Sequence, residues 1–378
     1  MTARGPNEGL IGKAGARAEL ATPALLIDLP AMDRNIAAMA AFAKANGVNL
    51  RPHAKTHKSV QIARRQIAAG AVGQCCATLG EAEAIAGAGI PGVLITSPVI
   101  GAAKIERLMK LNQIADGLMV VADNPDHVEQ LSQAAGAAGK PLTVVLDVDV
   151  GTHRTGVADA AAGLAVAEKI ARSNSLRFGG VQAYAGHLQH VDDYDEKARA
   201  MKVQRGRLAE LTELLTGAGI EVPLYTGVGS GTHEIDARNG PYTELQVGSY
   251  IFWDVQYDSV DTRADGACPW QGALFVQLQV VSASHPMRPT TDGGFKRFAT
   301  DGPPPRIVRG APRDSEYRFR GDEHGMVVLP EGADPLPLGA KVECLTPHCD
   351  PTVNLYDWYH VVDGDELVDI WPVDGRGR

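Results

Sequence analysis

The sequence has no run approaching the ~20 apolar residues that a membrane-crossing helix needs, which excludes a helical membrane span. Met1 to Leu20 lack the apolar core of a signal peptide and read as a polar, glycine-rich, loose segment. Cysteines are few: Cys75, Cys76, Cys268, Cys344 and Cys349. Their number is odd and two are adjacent. Neighbouring cysteines rarely pair, so no disulfide framework is expected, and a cytoplasmic protein is. There is no excess of basic residues. The net charge is −9 and the pI about 5.7, which argues against nucleic acid as the main partner.

What is present is an ordinary globular composition, with 44% hydrophobic residues among 378, enough for one large domain and a second. Short apolar runs alternate with helical stretches to about residue 255. Candidate strands are 48–52, 72–76, 93–96, 118–121, 144–148, 180–183, 224–226 and 246–249. Most are largely apolar, as in strands buried on both faces of a parallel sheet. The spacing predicts helices over 31–45, 58–69, 80–88, 102–111, 124–138, 160–172 and 191–218. Asn124 is a natural N-cap, with Pro125 at the first helical position. Eight βα units suggest a closed (β/α)8 barrel, with a doubly wound open sheet as the alternative. After Trp253-Asp254 the rhythm stops. Leu274, Val276, Leu278 and Val280 alternate as in a strand, and proline and glycine punctuate the chain from there on. The division expected is a loose segment 1–21, a barrel 22–258 and a β-rich domain 259–378. The run 24–28 is a further strand that could join the β-rich domain.

Arg51-Pro52-His53-Ala54-Lys55-Thr56-His57-Lys58 lies at the first strand-to-helix junction. Neighbouring cations and partial desolvation both favour a neutral lysine amine, and a neutral amine can form a Schiff base. The plainer reading is a solvated basic loop. In a βα barrel, functional groups gather at the C-terminal strand ends. The sequence puts Lys55, Asp147, Asp149, Arg154, Tyr184, His187, His190, Asp254 and Tyr257 at such ends. Thr226-Gly227-Val228-Gly229-Ser230-Gly231-Thr232 follows the seventh strand. Glycines there would let backbone N–H groups approach an anion, with Ser230 and Thr232 adding hydroxyls. A simple glycine turn is the alternative. A Schiff-base lysine facing a phosphate loop suggests pyridoxal 5′-phosphate. Arg154 would then donate to the cofactor's ring nitrogen, or simply pair with Asp147 or Asp149.

Pro347-His348-Cys349-Asp350-Pro351 lies late in the β-rich part. His348 and Asp350 would point the same way along an extended segment. With open water positions they suit Mn²⁺ or Mg²⁺, and Zn²⁺ less well; Cys349 as a ligand would favour zinc. A loop with a capping aspartate is the plainer reading. His187 and His190 share one loop, and one of them near a metal could act as a base. Asp322-Glu323-His324-Gly325 is a polar cluster or a turn.

Taken together, residues 51–58, Gln182-Ala183-Tyr184 with Gln189-His190, Glu244 to Tyr250, Gly321 to Gly325 and His348 to Thr352 resemble the fold-type III pyridoxal-phosphate enzymes, specifically the D-threonine aldolase and D-serine dehydratase-like group. The resemblance runs from Thr22 to Val373. It implies an alanine-racemase-like barrel plus a β-domain, paired as a homodimer with its sites at the interface. It implies that Lys55 carries the cofactor, Arg154 meets its ring nitrogen and Tyr184 lines it. Thr226 and Gly229 to Thr232 would hold its phosphate, His348 and Asp350 a divalent metal, with His190 as the base. The reaction implied is retro-aldol cleavage of a 3-hydroxy-D-amino acid to glycine and an aldehyde. The alternative is a D-serine or 3-hydroxy-D-aspartate dehydratase releasing a 2-oxo acid and ammonia, for which His-x-Cys ligation would be the mark. A non-catalytic pyridoxal-phosphate carrier would need neither the metal pair nor the second domain, and a cofactor-free aldolase barrel would show no cofactor absorbance. Ala77 and Gly80 stand where such enzymes often carry Gln and Ser, and Val228 where a third glycine is common.

Overall fold

The structure, a computed structural model, describes residues 4–378. Residues 4–20 contain a short helix, α1 (Ala16–Glu19), and do not stand off loosely as expected. Arg17 is almost fully buried, and its guanidinium grips Glu343 in two-pronged fashion at 2.7 and 2.6 Å. Removing one partner of such a pair typically costs ~3–5 kcal/mol. Strand β1 (Ala24–Asp28) follows, then α2 (Leu29–Ala45), whose first turn is capped by Asp28 accepting the Ala31 N–H at 3.0 Å.

The βα alternation then builds one parallel sheet. Its elements are β2 (Asn49–Leu50), α3 (Val60–Ala68), β3 (Gln74–Cys76), α4 (Leu79–Gly87), β4 (Val93–Ile95), α5 (Ala102–Ile114), β5 (Met119–Ala122), α6 (Pro125–Ala138), β6 (Leu142–Val148), α7 (Ala160–Ala171), β7 (Leu176–Ala183), α8 (Tyr194–Gly217), β8 (Tyr225–Gly227), α9 (His233–Asn239) and β9 (Glu244–Leu245). The order is β2-β9-β8-β7-β6-β5-β4-β3. The ring closes where the Val72 N–H donates to Leu50 O and the Cys75 N–H to Pro52 O, both at 2.8 Å. A (β/α)8 barrel is therefore the fold of this part, and not an open sheet. Cys75, Leu94, Val121 and Val145 fill its interior, and the complementary faces pack under the helices.

The eighth strand is Glu244–Leu245, two residues before the expected 246–249. Glu244 is buried, and a lone carboxylate would not be. The Arg51 guanidinium, 2.7 and 2.9 Å from its oxygens, makes the position tenable. Helix α9 was not expected, and α8 begins at Tyr194, where Asp193 caps it through the Glu196 N–H.

The remaining strands, β10 (Leu274–Ser282), β11 (Thr290–Thr291), β12 (Arg306–Arg309), β13 (Glu316–Phe319), β14 (Gly325–Val328), β15 (Lys341–Leu345), β16 (Trp358–Asp363) and β17 (Glu366–Pro372), form a second, mixed sheet. Strand β1 lies inside it, antiparallel to β10 and parallel to β16. Leu25, Leu26 and Ile27 of β1 are fully buried, each worth ~1.5–3 kcal/mol over exposure. A short helix, α10 (Cys349–Val353), leaves the end of β15 and returns to the barrel mouth.

Candidate active site

The octapeptide distributes its cations unequally. Arg51 is spent on Glu244 in the barrel interior. Lys58 is buried and pairs with Glu81 at 2.5 Å. His57 is fully buried, and burial lowers its pKa to about 4. Lys55 alone presents its amine to the mouth. It sits on a single 3₁₀ turn, 54–56, whose first N–H is taken by the His53 ring: Lys55 N donates to Nδ1 at 3.3 Å. The other His53 nitrogen meets Thr96 Oγ1 at 3.2 Å, fixing the ring.

The Lys55 amine contacts the Asp350 carboxylate, which reaches it from the second sheet's domain. This reverses the expectation of a lowered amine pKa. Burial does press on the charge, but the Asp350 carboxylate, helped by Tyr184, outweighs it and holds the amine above the ordinary lysine range. The carboxylate is itself held below the ordinary range, the Lys55 and His348 charges overriding its burial. Basic neighbours visible in the sequence are turned away, and the acid that decides the matter lies 295 residues on.

His348 and Asp350 are not on an extended segment. His348 precedes α10 and Asp350 is in its first turn. Cys349 between them points inward, fully buried, with its N–H and Sγ 2.8 and 2.9 Å from the Asp254 carboxylate. That thiol is committed to Asp254. The His348 Nδ1 lies 2.8 Å from Asp301 Oδ2. Among the described residues no three His, Cys, Asp or Glu side chains cluster as a metal cage. His348 and Asp350 offer an imidazole and a carboxylate, donor types that together with water suit a hard cation.

His190 lies at the solvent edge, its ring 4.6 Å from that of Tyr257. Desolvating walls, with the His348 and Lys55 charges, hold its pKa below the ordinary value. His187 faces Thr152 instead, at 3.4 Å. Arg154 takes neither aspartate. Asp149 accepts from His153, and the Arg154 guanidinium lies over the Tyr184 ring at 5.9 Å. Asp322 and Glu323 pair with Lys296 on the surface of the second sheet's domain, as a turn would.

The glycine run has a second occupant that the sequence did not reveal. The Gln189 carboxamide accepts the Gly231 N–H at 3.0 Å and bonds Thr232 Oγ1 at 3.2 Å. A Cβ on Gly229 or Gly231 would come within 2.2 or 2.1 Å of Gln189 atoms. Those glycines therefore admit Gln189. Ser230 Oγ accepts the Tyr250 N–H, and Thr226 Oγ1 the Gln246 amide, both at 3.0 Å. Among the described residues, the N–H groups of Gly229 and Ser230 have no internal acceptor, so the loop keeps a donor pair that fits a phosphate. Val228 has φ +70°, a conformation costly for a β-branched residue, where glycine would be unstrained. Gly80 answers a packing need, since a Cβ there would stand 2.7 Å from Arg378 Cβ.

Behind the loop, α9 buries Asp236 fully, with neither oxygen hydrogen-bonded and Arg205 3.9 Å away. Burial pushes this carboxyl from 3.8 up to about 7, nearby Thr232 and Arg205 offsetting only part. The folded state then binds a proton more tightly than the unfolded, so the stability cost appears above about pH 4 and is complete near pH 7. Asp236→Asn is expected to melt higher than the parent at pH 8 and to lose that advantage at pH 4. The gap is at most about 4 kcal/mol. Equal pH dependence of the two melting curves would contradict this.

Fold and site together define a class: a parallel βα barrel whose first strand delivers a lysine to the mouth, met there by an acid from a β-domain. The chain belongs to the alanine racemase N-terminal domain family, which matches residues 27–255, and a putative serine dehydratase domain matches residues 273–362. It is 39% identical to a D-threonine aldolase of Arthrobacter sp over 95% of this chain and 94% of that one. It is 36% identical to a 3-hydroxy-D-aspartate aldolase of Paracoccus denitrificans (strain Pd 1222) over 95% and 93%. Among solved structures, D-threonine aldolase from Filomicrobium marinum superposes with a TM-score of 0.91 at 35% identity, covering 95% of this chain and 97% of that one. D-threo-3-hydroxyaspartate dehydratase from Delftia sp. HT23 gives 0.82 at 25%, covering 94% and 98%.

Proposed function

We propose that this protein is a carbon–carbon lyase that cleaves 3-hydroxy-D-amino acids of the D-threonine type to glycine and an aldehyde. One observation carries the reading: the Lys55 amine of the barrel and the Asp350 carboxylate of the β-domain meet beside His190 and His348. Pyridoxal 5′-phosphate, when bound, supplies the electron sink for the pair released as Cα–Cβ breaks. Lys55 would hold its carbonyl carbon, Arg154 would donate to its ring nitrogen and Tyr184 would line it. Thr226, Gly229, Ser230, Gly231 and Thr232 hold its phosphate end, with the free Gly229 and Ser230 N–H groups as donors. His348 and Asp350 hold a divalent cation, Mn²⁺ or Mg²⁺ before Zn²⁺, which supplies a Lewis acid for the β-hydroxyl. His190, kept neutral by its surroundings, takes the hydroxyl proton. The substrate loses that proton and its Cα–Cβ bond, and Cα regains a proton as glycine leaves. A homodimer, implied by the family resemblance, and a cytoplasmic location, expected from the cysteine pattern, complete the proposal. Among the described residues no helix is long and apolar enough to cross a membrane.

Asp350 weighs against the dehydratase alternative. A His-x-Cys ligand pair puts a thiol two residues after His348, where this chain has a carboxylate, and Cys349, one residue on, is buried on Asp254. We take the substrate's β-substituent to enter the cavity that His190 lines, ≈ 680 Å³. Its charged walls are Asp192, Asp258 and Arg306, and Arg306 is already paired with Asp258, leaving one negative charge in excess. A neutral β-substituent fits such a wall better than a carboxylate. D-threonine is expected to exceed 3-hydroxy-D-aspartate in kcat/KM by at least about tenfold, the equivalent of ~1.4 kcal/mol. Comparable values, or release of ammonia in place of an aldehyde, would defeat the reading.

A further inference from the structure

His348 is held from two sides by the loop that carries Asp301. Thr352, fully buried in α10, donates its hydroxyl to the His348 carbonyl at 2.7 Å. The same oxygen accepts the Ala299 N–H at 3.0 Å. The segment 299–301 is thereby hung on the turn that displays His348. From that tether Asp301 places Oδ2 2.8 Å from His348 Nδ1.

A carboxylate at this distance accepts, so Nδ1 carries a hydrogen, and in the neutral ring Nε2 is the nitrogen with the free lone pair. A histidine bound to a metal through one nitrogen commonly gives its other N–H to such a carboxylate, which fixes the tautomer and raises the basicity of the ligating nitrogen. We propose that Asp301 is the positioning residue of the cation site, orienting His348 so that Nε2 is the ligating atom. The inference rests on the metal reading given above, and it adds a residue from a loop that no motif in the chain marks. Asp301 is half exposed, so replacing it leaves the core untouched.

Mn²⁺ binding to the cofactor-loaded enzyme, read from the free-Mn²⁺ resonance during titration, tests this without reference to turnover. Asp301→Ala is expected to weaken binding by about 10- to 100-fold. Asp301→Asn keeps an acceptor for the Nδ1–H and is expected to recover part of that loss. The cofactor absorbance is expected to be the same in all variants. Binding by Asp301→Ala within twofold of the parent, while His348→Ala binds no Mn²⁺, overturns the inference and leaves the metal reading intact. Asp301→Asn as weak as Asp301→Ala overturns the hydrogen-bond role in favour of bulk charge. Undiminished binding by His348→Ala overturns both the inference and the metal reading.

Discussion

Lys55→Arg is expected to abolish covalent cofactor attachment and to cut cleavage by on the order of 10⁴-fold or more, without unfolding the protein. Arginine keeps the charge that Asp350 faces but offers no amine that condenses with a carbonyl. No neighbour can substitute. Arg51 is locked on Glu244, Lys58 is buried on Glu81, and the 3₁₀ turn capped by His53 aims only position 55 at the mouth. Lys55→Ala makes the useful contrast. It loses the same activity but also leaves the mostly buried Asp350 without its partner. The price in stability is ~1–3 kcal/mol, the buried-pair figure reduced because the lysine is about a third exposed. Absorbance, mass after borohydride reduction, and melting temperature separate the two variants. Retained cofactor attachment in Lys55→Arg would remove the lysine from its assigned role.

Metal removal is expected to be nearly as damaging. A chelator should reduce cleavage by on the order of 10³-fold, since a Lewis acid at a developing alkoxide is worth several kcal/mol. Added Mn²⁺ should restore it. Asp350→Ala and His348→Ala should show the same loss and resist rescue at the Mn²⁺ concentration that saturates the parent. Cofactor absorbance should survive in both, because the lysine and the phosphate loop stand on the barrel and the two ligands on the β-domain. Full activity after exhaustive chelation would leave His348 and Asp350 as a plain structural pair.

The barrel was legible because its strands are short apolar runs closed by capped helices, a pattern that needs no tertiary information. Its eighth strand was misplaced because Glu244 looks like loop until Arg51, 193 residues earlier, neutralises it. The lysine was legible from its place at a strand end, but its charge state was not. Neighbours in sequence implied a neutral amine, whereas the acid in contact with it arrives from the other domain. The glycine run was seen, but part of its reason was not: Gly229 and Gly231 make room for Gln189. His348 and Asp350, the pair proposed for the metal, stood out by their spacing, although they sit on a helical turn and not on an extended segment. Asp301 carried no signal at all. It meets His348 across 47 residues, through a tether made by a threonine one turn further along the helix that His348 precedes.

The most direct test is to incubate the purified protein with pyridoxal phosphate, Mn²⁺ and D-threonine and to identify the products. Glycine and acetaldehyde in equal amounts are the result expected. 2-Oxobutanoate with ammonia, or no conversion of D-threonine at all, would contradict the account.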